Sequence, residues 1–359
     1  MRAALLGRAV EGNAATLTGY TVLAQTGAHL PALCPLGGAV AEGLVFADLS
    51  DDEIARLDSY EIPFDYTPHT REVTTPSGVV SARVYLPEPS VDVSGTPWSL
   101  AAWDAAHGDL SREMAREIGA TRPPMTGKAL QQAWHMIGVR AAARLRARAI
   151  EVPTTVRRAP VPGDFHIADK QPPAGAFFRY HTFNVTHHTF QDAVSPPLER
   201  EGAVTCDAAI ILPYDPVSDC VLLVEQIRTG PLLRDDPNPW VLEPVAGMID
   251  GGETPQEAAL RETQEEAGLT DVALRLMYRC YSSPGVATDY HHCYLGLAKL
   301  PEPTVYTGGL AAENEDLRLH VLPFAQAFAL IESGEANVGP LISMLLWLAH
   351  HRDGLRSTA

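Results

Sequence analysis

Residues 246–269, AGMIDGGETPQEAALRETQEEAGL, constrain this chain more than any other stretch. Thr254, Pro255 and Glu257 spell a helix start. Thr254 caps, Pro255 suits the first helical position, and Glu257, three beyond the cap, completes a capping box. Gly268 suits the left-handed residue that closes a helix, so the spacing predicts a helix running to about Ala267. On it Glu262, Glu265 and Glu266 lie three and four apart and share one face. Like charges that close repel by roughly a few tenths of a kcal/mol per exposed pair, and more when buried. A divalent cation removes the repulsion, because hard cations take carboxylate oxygens. Arg261 stands four before Glu265 and can hold that carboxylate; Ala258, Ala259 and Leu260 offer an apolar side to a sheet. Gly251 and Gly252 let the preceding loop turn tightly. A run of glutamates is by default a solvated acidic face. Here the glycines, the arginine and the cap fall in register with the acids, which favours the cation.

Such a site suits an anionic diphosphate. Divalent ions neutralise its oxygens and lower the pKa of bound water, and a free carboxylate then serves as general base. Residues 311–316, AAENED, supply acids downstream of Gly308 and Gly309; on composition alone they are a solvated loop.

From Gly247 to Leu269 the stretch matches the Nudix box, G-x5-E-x7-R-E-U-x-E-E-x-G-U, with Thr263 a loose fit to U. Over roughly residues 175–351 the chain resembles the ADP-ribose pyrophosphatase branch of the Nudix hydrolases. Four pieces carry the resemblance: ILPYDPVSDCVLLVEQIRTG (211–230), PWVLEPVAGMIDGGE (239–253), YSSPG (281–285) with Pro284 fifteen residues after Leu269, and LAAENEDLRLHVL (310–322). The resemblance implies an α/β/α sandwich with a mixed sheet and a Mg²⁺ (or Mn²⁺) site. Its ligands would be Glu262, Glu266, Glu315 and the Ala246 carbonyl. Glu313 would be the base that activates water, and Arg261 and Glu265 would complete the catalytic set. Arg228 and Met248 would contact substrate. Arg200, with Glu201, would stand near the adenosine, and Ser283 and Gly285 would line the terminal-ribose side. A leading sheet over 166–200 would swap across a homodimer, where Phe177, Phe178 or Tyr180 stack on adenine or simply pack. His181, His187 and His188 are not read as metal ligands, because alternation puts the adjacent pair on opposite strand faces. After the SPG turn the branch often has Gly-Thr-Ser-Glu; here Val286, Ala287, Thr288 and Asp289 stand instead, which leaves the choice among nucleoside diphosphate derivatives open.

The first part is a different object. LGRAVEGNAATLTGY (6–20), GLVFADLSDDEIARLDSYE (43–61) and ARVYLPEP (82–89) resemble the gamma-glutamylcyclotransferase-like domain, a β-barrel-type α+β fold, over residues 1–118. The usual Tyr-Gly-Thr-Leu strand and loop has no counterpart, as if the domain were truncated at its start. Glu61 stands where active members keep an acid/base glutamate, but the residues after it depart from the pattern, and a packed or helix-terminal role competes. Strands are expected near 20–23, 41–47 and 79–86, and a helix over 51–59 begins at a Ser50 cap. Residues 119–165 read as a linker. It holds a proline-containing break at 121–125, a basic alanine-rich helix over 127–149, and an extended Pro-rich run over 153–163. The arginines of that helix face solvent or pack on acids of their own chain. The Nudix domain then occupies 166–359, with strands at 207–212, 221–227, 241–246, 272–281 and 291–298 and helices at 324–332 and 343–350.

Net charge is −17, from 44 acidic and 27 basic residues, which argues against nonspecific binding to nucleic acid or anionic membranes. It leaves a nucleotide substrate open, since metals invert the local field of an acidic site. The five cysteines, Cys34, Cys206, Cys220, Cys280 and Cys293, are scattered and form no CxxC pair, so a reduced cytoplasmic protein is the simplest expectation. No apolar run reaches the length of a membrane span, and no signal peptide is evident in MRAALLGRA.

The expected activity is hydrolysis of ADP-ribose to AMP and ribose 5-phosphate. The alternatives are a pyrophosphatase for another sugar nucleotide or dinucleotide, a nucleotide sensor with little turnover, and a cyclotransferase activity in the first half. Fusions of these two domain types are associated with tellurite resistance in some bacteria, a link the residues themselves do not carry.

Overall fold

The computed structural model describes residues 1–121, 125, 127–151, 153–310 and 315–357. The chain divides into two units, Met1–Phe177 and Phe178–Ala359.

The first unit runs α1 (Arg2–Leu6), β1 (Gly12–Gln25), β2 (Pro31–Phe46), α2 (Asp51–Glu61), a 3₁₀ turn (Ile62–Phe64), β3 (Tyr66–Thr75), β4 (Gly78–Pro87), β5 (Val93–Pro97), α3 (Leu100–Ala120), α4 (Lys128–Ala149) and β6 (Phe165–Ala168). Its antiparallel sheet has the order β2-β1-β3-β4, with β5 on β1. The expected helix forms as α2, where Ser50 and Glu53 exchange both bonds of a capping box. The expected break at 121–125 falls partly outside the described residues. The basic helix, α4, is no free connector. It buries Leu130, Ile137 and Ala141 against Leu5, Tyr60, Met114, Ala115 and Ile118.

The arginines of α4 pack on acids of α3. Glu113, 3% exposed, accepts from Arg144 Nε at 2.8 Å and Arg148 Nη1 at 2.9 Å. Glu117 accepts from the fully buried Arg140 at 2.5 Å and from Arg144 at 2.9 Å. Burial pushes the Glu113 carboxyl up, but the bonds from Arg148, Arg144 and Arg116 outweigh it and hold it at about 2. Removing one partner of a buried pair costs about 3–5 kcal/mol, whereas an exposed pair is worth about 0–1 kcal/mol. Arg140→Ala should therefore lower the stability of the first unit by about 3 kcal/mol in urea unfolding, and the exposed Arg116→Ala by less than about 1 kcal/mol. Equal effects would remove the distinction between the two pairs.

The second unit runs β7 (Arg179–His187), β8 (Leu198–Val204), β9 (Asp207–Asp215), β10 (Cys220–Ile227), α5 (Thr229–Leu233), β11 (Trp240–Glu243), β12 (Val245–Met248), α6 (Pro255–Ala267), β13 (Ala273–Tyr281), β14 (Tyr290–Leu297), β15 (Thr304–Gly308), β16 (Leu317–Pro323), α7 (Phe324–Ser333) and α8 (Gly339–Arg356). β7 and β8 form a hairpin. The main sheet has the order β13-β14-β9-β10-β16-β15. β14 and β9 are parallel and the other pairs antiparallel, so the sheet is mixed. On one face Ala209, Ile211, Val224 and Val245 pack against Ala258 and Ala259 of α6. On the other Ile210, Leu212, Leu223 and Leu295 pack against Phe324, Leu341, Met344 and Leu345 of α7 and α8. This is the expected α/β/α sandwich. Because both faces are covered, β9 and β10 read as continuous apolar runs rather than alternating ones.

The single strand expected at 241–246 is two strands. Pro244 has no N–H for a ladder, and the chain changes partner there, β11 pairing with β10 and β12 with β9. β9 and β10 are themselves bonded only near Tyr214 and Val221. The sheet therefore forks, and β11 and β12 line the two branches.

Candidate active site

The acidic helix forms with the bounds its sequence predicts. Thr254 and Glu257 make the capping box, Pro255 opens the helix, and Gly268 closes it at φ 69°. β12 delivers Ala246, Gly247 and Met248 beside it. A Cβ on Gly247 would stand 1.8 Å from the Glu262 carboxylate oxygen, so only glycine allows this approach. At the other end of the helix, Gly308 of β15 lies so close that its Cβ would meet the Glu266 carbonyl at 2.4 Å.

Arg261 organises the acids. Its guanidinium grips Glu253 through Nε at 2.9 Å and Nη2 at 3.1 Å. Nη1 donates to Glu262 at 2.7 Å and to Glu265 at 2.9 Å, and Nη2 also reaches the Met248 carbonyl at 3.1 Å. The hydrogen bond to Glu253 is the first cause that raises Arg261 above its ordinary pKa. Glu253 is a fixed position of the box, and the sequence reading gives it no task. It is the clamp that orients Arg261. The signal was its place in the motif; its partner is visible only once the loop folds back on the helix.

Glu266 is 3% exposed, and the Ala246 amide donates to it at 3.4 Å. Burial, then the charges of Glu262 and Glu315, push its carboxyl up to about 8. Burial likewise pushes Glu262 up to about 7, against the pull of Arg261. Glu315 accepts from the Leu310 amide at 3.1 Å. Glu313 lies outside the described residues.

The fork holds a cavity of about 240 Å³ lined by, among others, Arg228, Glu243, Ala246, Met248, His291 and Pro340. Arg228 donates to Glu243 at 2.6 Å across the β10–β11 branch. Ser283 and Gly285 sit instead in the exposed β13–β14 loop, where the Ser283 carbonyl accepts from Val286 and Ala287 at 3.1 and 3.0 Å. Arg200 is exposed on β8 and donates to the Glu199 carbonyl at 2.7 Å. None of these three lines the cavity. Phe178 and Tyr180 are about half exposed, and Tyr180 donates to Glu201 at 2.8 Å. In the first unit Glu61 ends α2, and burial, partly offset by Arg2, pushes it up to about 7.

Among the described residues no three His, Cys, Asp or Glu side chains stand in a finished ligand cluster. Glu262 gives one carboxylate oxygen, Oε1, to Arg261. The donor set nevertheless fits a hard divalent cation. After burial, the negative charge of Glu315 raises the proton affinity of Glu262 and Glu266, and that of Glu262 adds to it at Glu266; protonation or a cation relieves them.

A carboxyl whose folded value exceeds its unfolded one binds more protons in the folded state between the two, so stability falls as pH rises. For Glu262 and Glu266 the window runs from 4.5 to about 8. The cation-free protein should lose thermal stability across it, and Mg²⁺ or Mn²⁺ should restore more at pH 8 than at pH 5. The Glu262→Gln, Glu266→Gln double variant should show neither effect. A melting temperature at pH 8 that ignores added cation would discount these acids as its site.

Residues 204–343 match the NUDIX domain family, and residues 1–105 match the family described as gamma-glutamyl cyclotransferase, AIG2-like. The chain is 36% identical over 183 residues to the ADP-ribose pyrophosphatase of Escherichia coli K12, spanning 50% of this chain and 86% of that protein. It is 33% identical over 187 residues to the Haemophilus influenzae ADP-ribose pyrophosphatase, spanning 52% and 86%. To a Yersinia enterocolitica GDP-mannose pyrophosphatase it is 30% identical over 145 residues, spanning 40% and 74%. With the box folded around Arg261 and relatives of this identity, the chain belongs to the Nudix hydrolases, in their ADP-ribose pyrophosphatase branch, and carries a gamma-glutamylcyclotransferase-like domain at its N-terminal end.

Proposed function

We propose that the second unit hydrolyses the diphosphate of ADP-ribose, giving AMP and ribose 5-phosphate, with Mg²⁺ as the cation. The observation that carries this reading is the carboxylate pair of half-buried Glu262 and buried Glu266 against β12, with Glu262 held by Arg261 and admitted by Gly247. Glu262, Glu266, Glu315 and the Ala246 carbonyl would hold the ion. When bound, it neutralises diphosphate oxygens and acidifies water. Arg228, on the cavity rim, meets the negative charge of a phosphate. Glu313 takes the proton of the attacking water as the bridging P–O bond breaks, and the departing phosphate keeps the electron pair. Arg261 and Glu253 keep the helix acids in place.

A second reading, hydrolysis of a different sugar nucleotide, draws on Asp289, which is one methylene shorter than glutamate, and on the GDP-mannose relative. The exposed apolar residues Phe178, Phe190 and Val194 on and beside the β7–β8 hairpin support a homodimer covering that surface. No helix of the described residues is long and apolar enough to cross a membrane. All five cysteines are free, in keeping with a cytoplasmic location.

Incubation with Mg²⁺ and ADP-ribose should release AMP, and Glu266→Gln should cut kcat by at least about a hundredfold with unchanged circular dichroism. Gly247→Ala, whose Cβ displaces Glu262, should behave like Glu266→Gln. A protein that releases no nucleoside monophosphate from ADP-ribose or GDP-mannose refutes the hydrolase reading. A Glu266→Gln variant of near-normal rate refutes the ligand assignment.

A further inference from the structure

Two thiols of the second unit touch. Cys280 of β13 and Cys293 of β14 lie within hydrogen-bonding reach of each other. The register sets Cys280 opposite His291 and Tyr278 opposite Cys293, so the two cysteines are diagonal neighbours on one face of the sheet. Cys293 is fully buried in the core that α7 and α8 cover. The Tyr278 hydroxyl hydrogen-bonds both Cys293 and Ser343 of α8. Cys280 is half-buried. Elsewhere Cys220 Sγ donates to the Ser218 carbonyl at 3.5 Å, and Cys34 Sγ of the first unit donates to the Ala32 carbonyl at 3.7 Å.

A free cysteine in a core is by default a small apolar filler. Cys293 fits that description; Cys280, half-buried and against a second thiol, does not. The pair stands at the root of a hairpin. β13 ends at Tyr281, β14 begins at Tyr290, and residues 282–289 cross between them. There the Ser282 amide donates to the Asp289 carbonyl at 3.3 Å, and the rings of Tyr281 and Tyr290 meet edge to face, 4.9 Å between centroids. A bond between the two sulfurs would close a ring around that loop. Diagonal neighbours stand wider than directly opposed ones, so the strands must draw together as the bond forms, and the loop takes up the movement. Burial pushes Cys293 up to about 12 and raises Cys280 as well, so both rest as thiols at neutral pH. The thiolate is the nucleophile, and closure therefore takes roughly minutes to hours.

We propose that Cys280 and Cys293 form a redox modification site, in which a hydroperoxide joins them as a disulfide that restrains loop 282–289 and a dithiol reopens it. The half-buried Cys280 sulfur attacks the hydroperoxide, the O–O bond breaks, an alcohol leaves, and Cys280 becomes a sulfenic acid. The Cys293 sulfur then attacks the Cys280 sulfur, the S–O bond breaks, and water leaves with the Cys293 proton. The two thiols give up two electrons, and the hydroperoxide is reduced to alcohol and water. Neither step uses the acids of α6, so the site stands or falls apart from the hydrolase reading.

Treat the full-length protein with tert-butyl hydroperoxide, alkylate, digest and map the peptides by mass spectrometry. The peptides that carry Cys280 and Cys293 should be joined, and dithiothreitol should part them. Amide hydrogen exchange over residues 282–289 should slow by about threefold or more in the joined form. Cys280→Ser should abolish both changes. Cys293→Ala, which keeps the buried position apolar, should abolish them too and leave Cys280 to advance to sulfinic acid. The proposal is overturned if both cysteines stay free under peroxide that oxidises glutathione in the same tube. It also falls if wild-type Cys280 reaches sulfinic acid while Cys293 stays a thiol, or if either cysteine joins a different one. A joined pair with unchanged exchange over the loop would overturn the restraint.

Discussion

One guanidinium holds the site together. Arg261 bonds three carboxylates and a backbone carbonyl, and every partner comes from the box or the loop before it. Without it, Glu253, Glu262 and Glu265 would stand close together with no cation among them. The bidentate grip on Glu253 fixes the fork of the arginine, which a lysine's single ammonium would not reproduce. The arrangement leaves a surplus of negative charge: among the described residues no arginine is bonded to Glu266 or Glu315, and Arg228 is already paired with Glu243. A site with more carboxylate than guanidinium is incomplete as protein alone, and its excess is what a divalent cation would satisfy.

The second constraint is the fork in the sheet. Pro244 ends one ladder and lets the chain begin another on the opposite branch. That places Glu243 beside Arg228 and, three residues on, Ala246 beside Glu266. Gly247 then faces the helix with no side chain of its own, so the Glu262 carboxylate occupies the volume a Cβ would fill. Two residues without ordinary backbone behaviour, a proline and a glycine three apart, thus turn a plain strand into a site with a cavity on one side and acids on the other.

What the sequence made legible follows the range of the interactions involved. The capping box at Thr254, the close at Gly268 and the cap at Ser50 are contacts within four residues, and each forms as its spacing says. The apolar runs of β9 and β10 identify themselves because both faces are covered. Less legible were elements whose reason is tertiary. β3, YTPHTREVTT, carries a proline and charges and becomes a strand because β4 pairs along its whole length. α3 was hidden by its mixed composition, and it is needed to explain why the arginines of α4 are there at all. Glu253 was visible as a motif position but not as a clamp, since its bond to Arg261 spans eight residues and depends on the loop's path. His291 had no motif to announce it. Its place in the cavity depends on parallel pairing with Ala208, more than eighty residues earlier in the sequence.

The charge of the whole chain and the charge of its substrate pose an apparent conflict. A protein at −17 repels a diphosphate at long range. Screening limits that repulsion to about 8–10 Å in physiological salt, so distant surface acids weigh little. Within that radius the balance is set by a few groups whose ionisation is not fixed. Burial already holds Glu262 and Glu266 toward their neutral forms. Each proton or cation they take up removes negative charge beside the cavity on whose rim Arg228 stands, where we propose the phosphate sits. The same burial that makes these acids costly to ionise in the empty protein therefore lets one ion both stabilise the fold and admit the substrate.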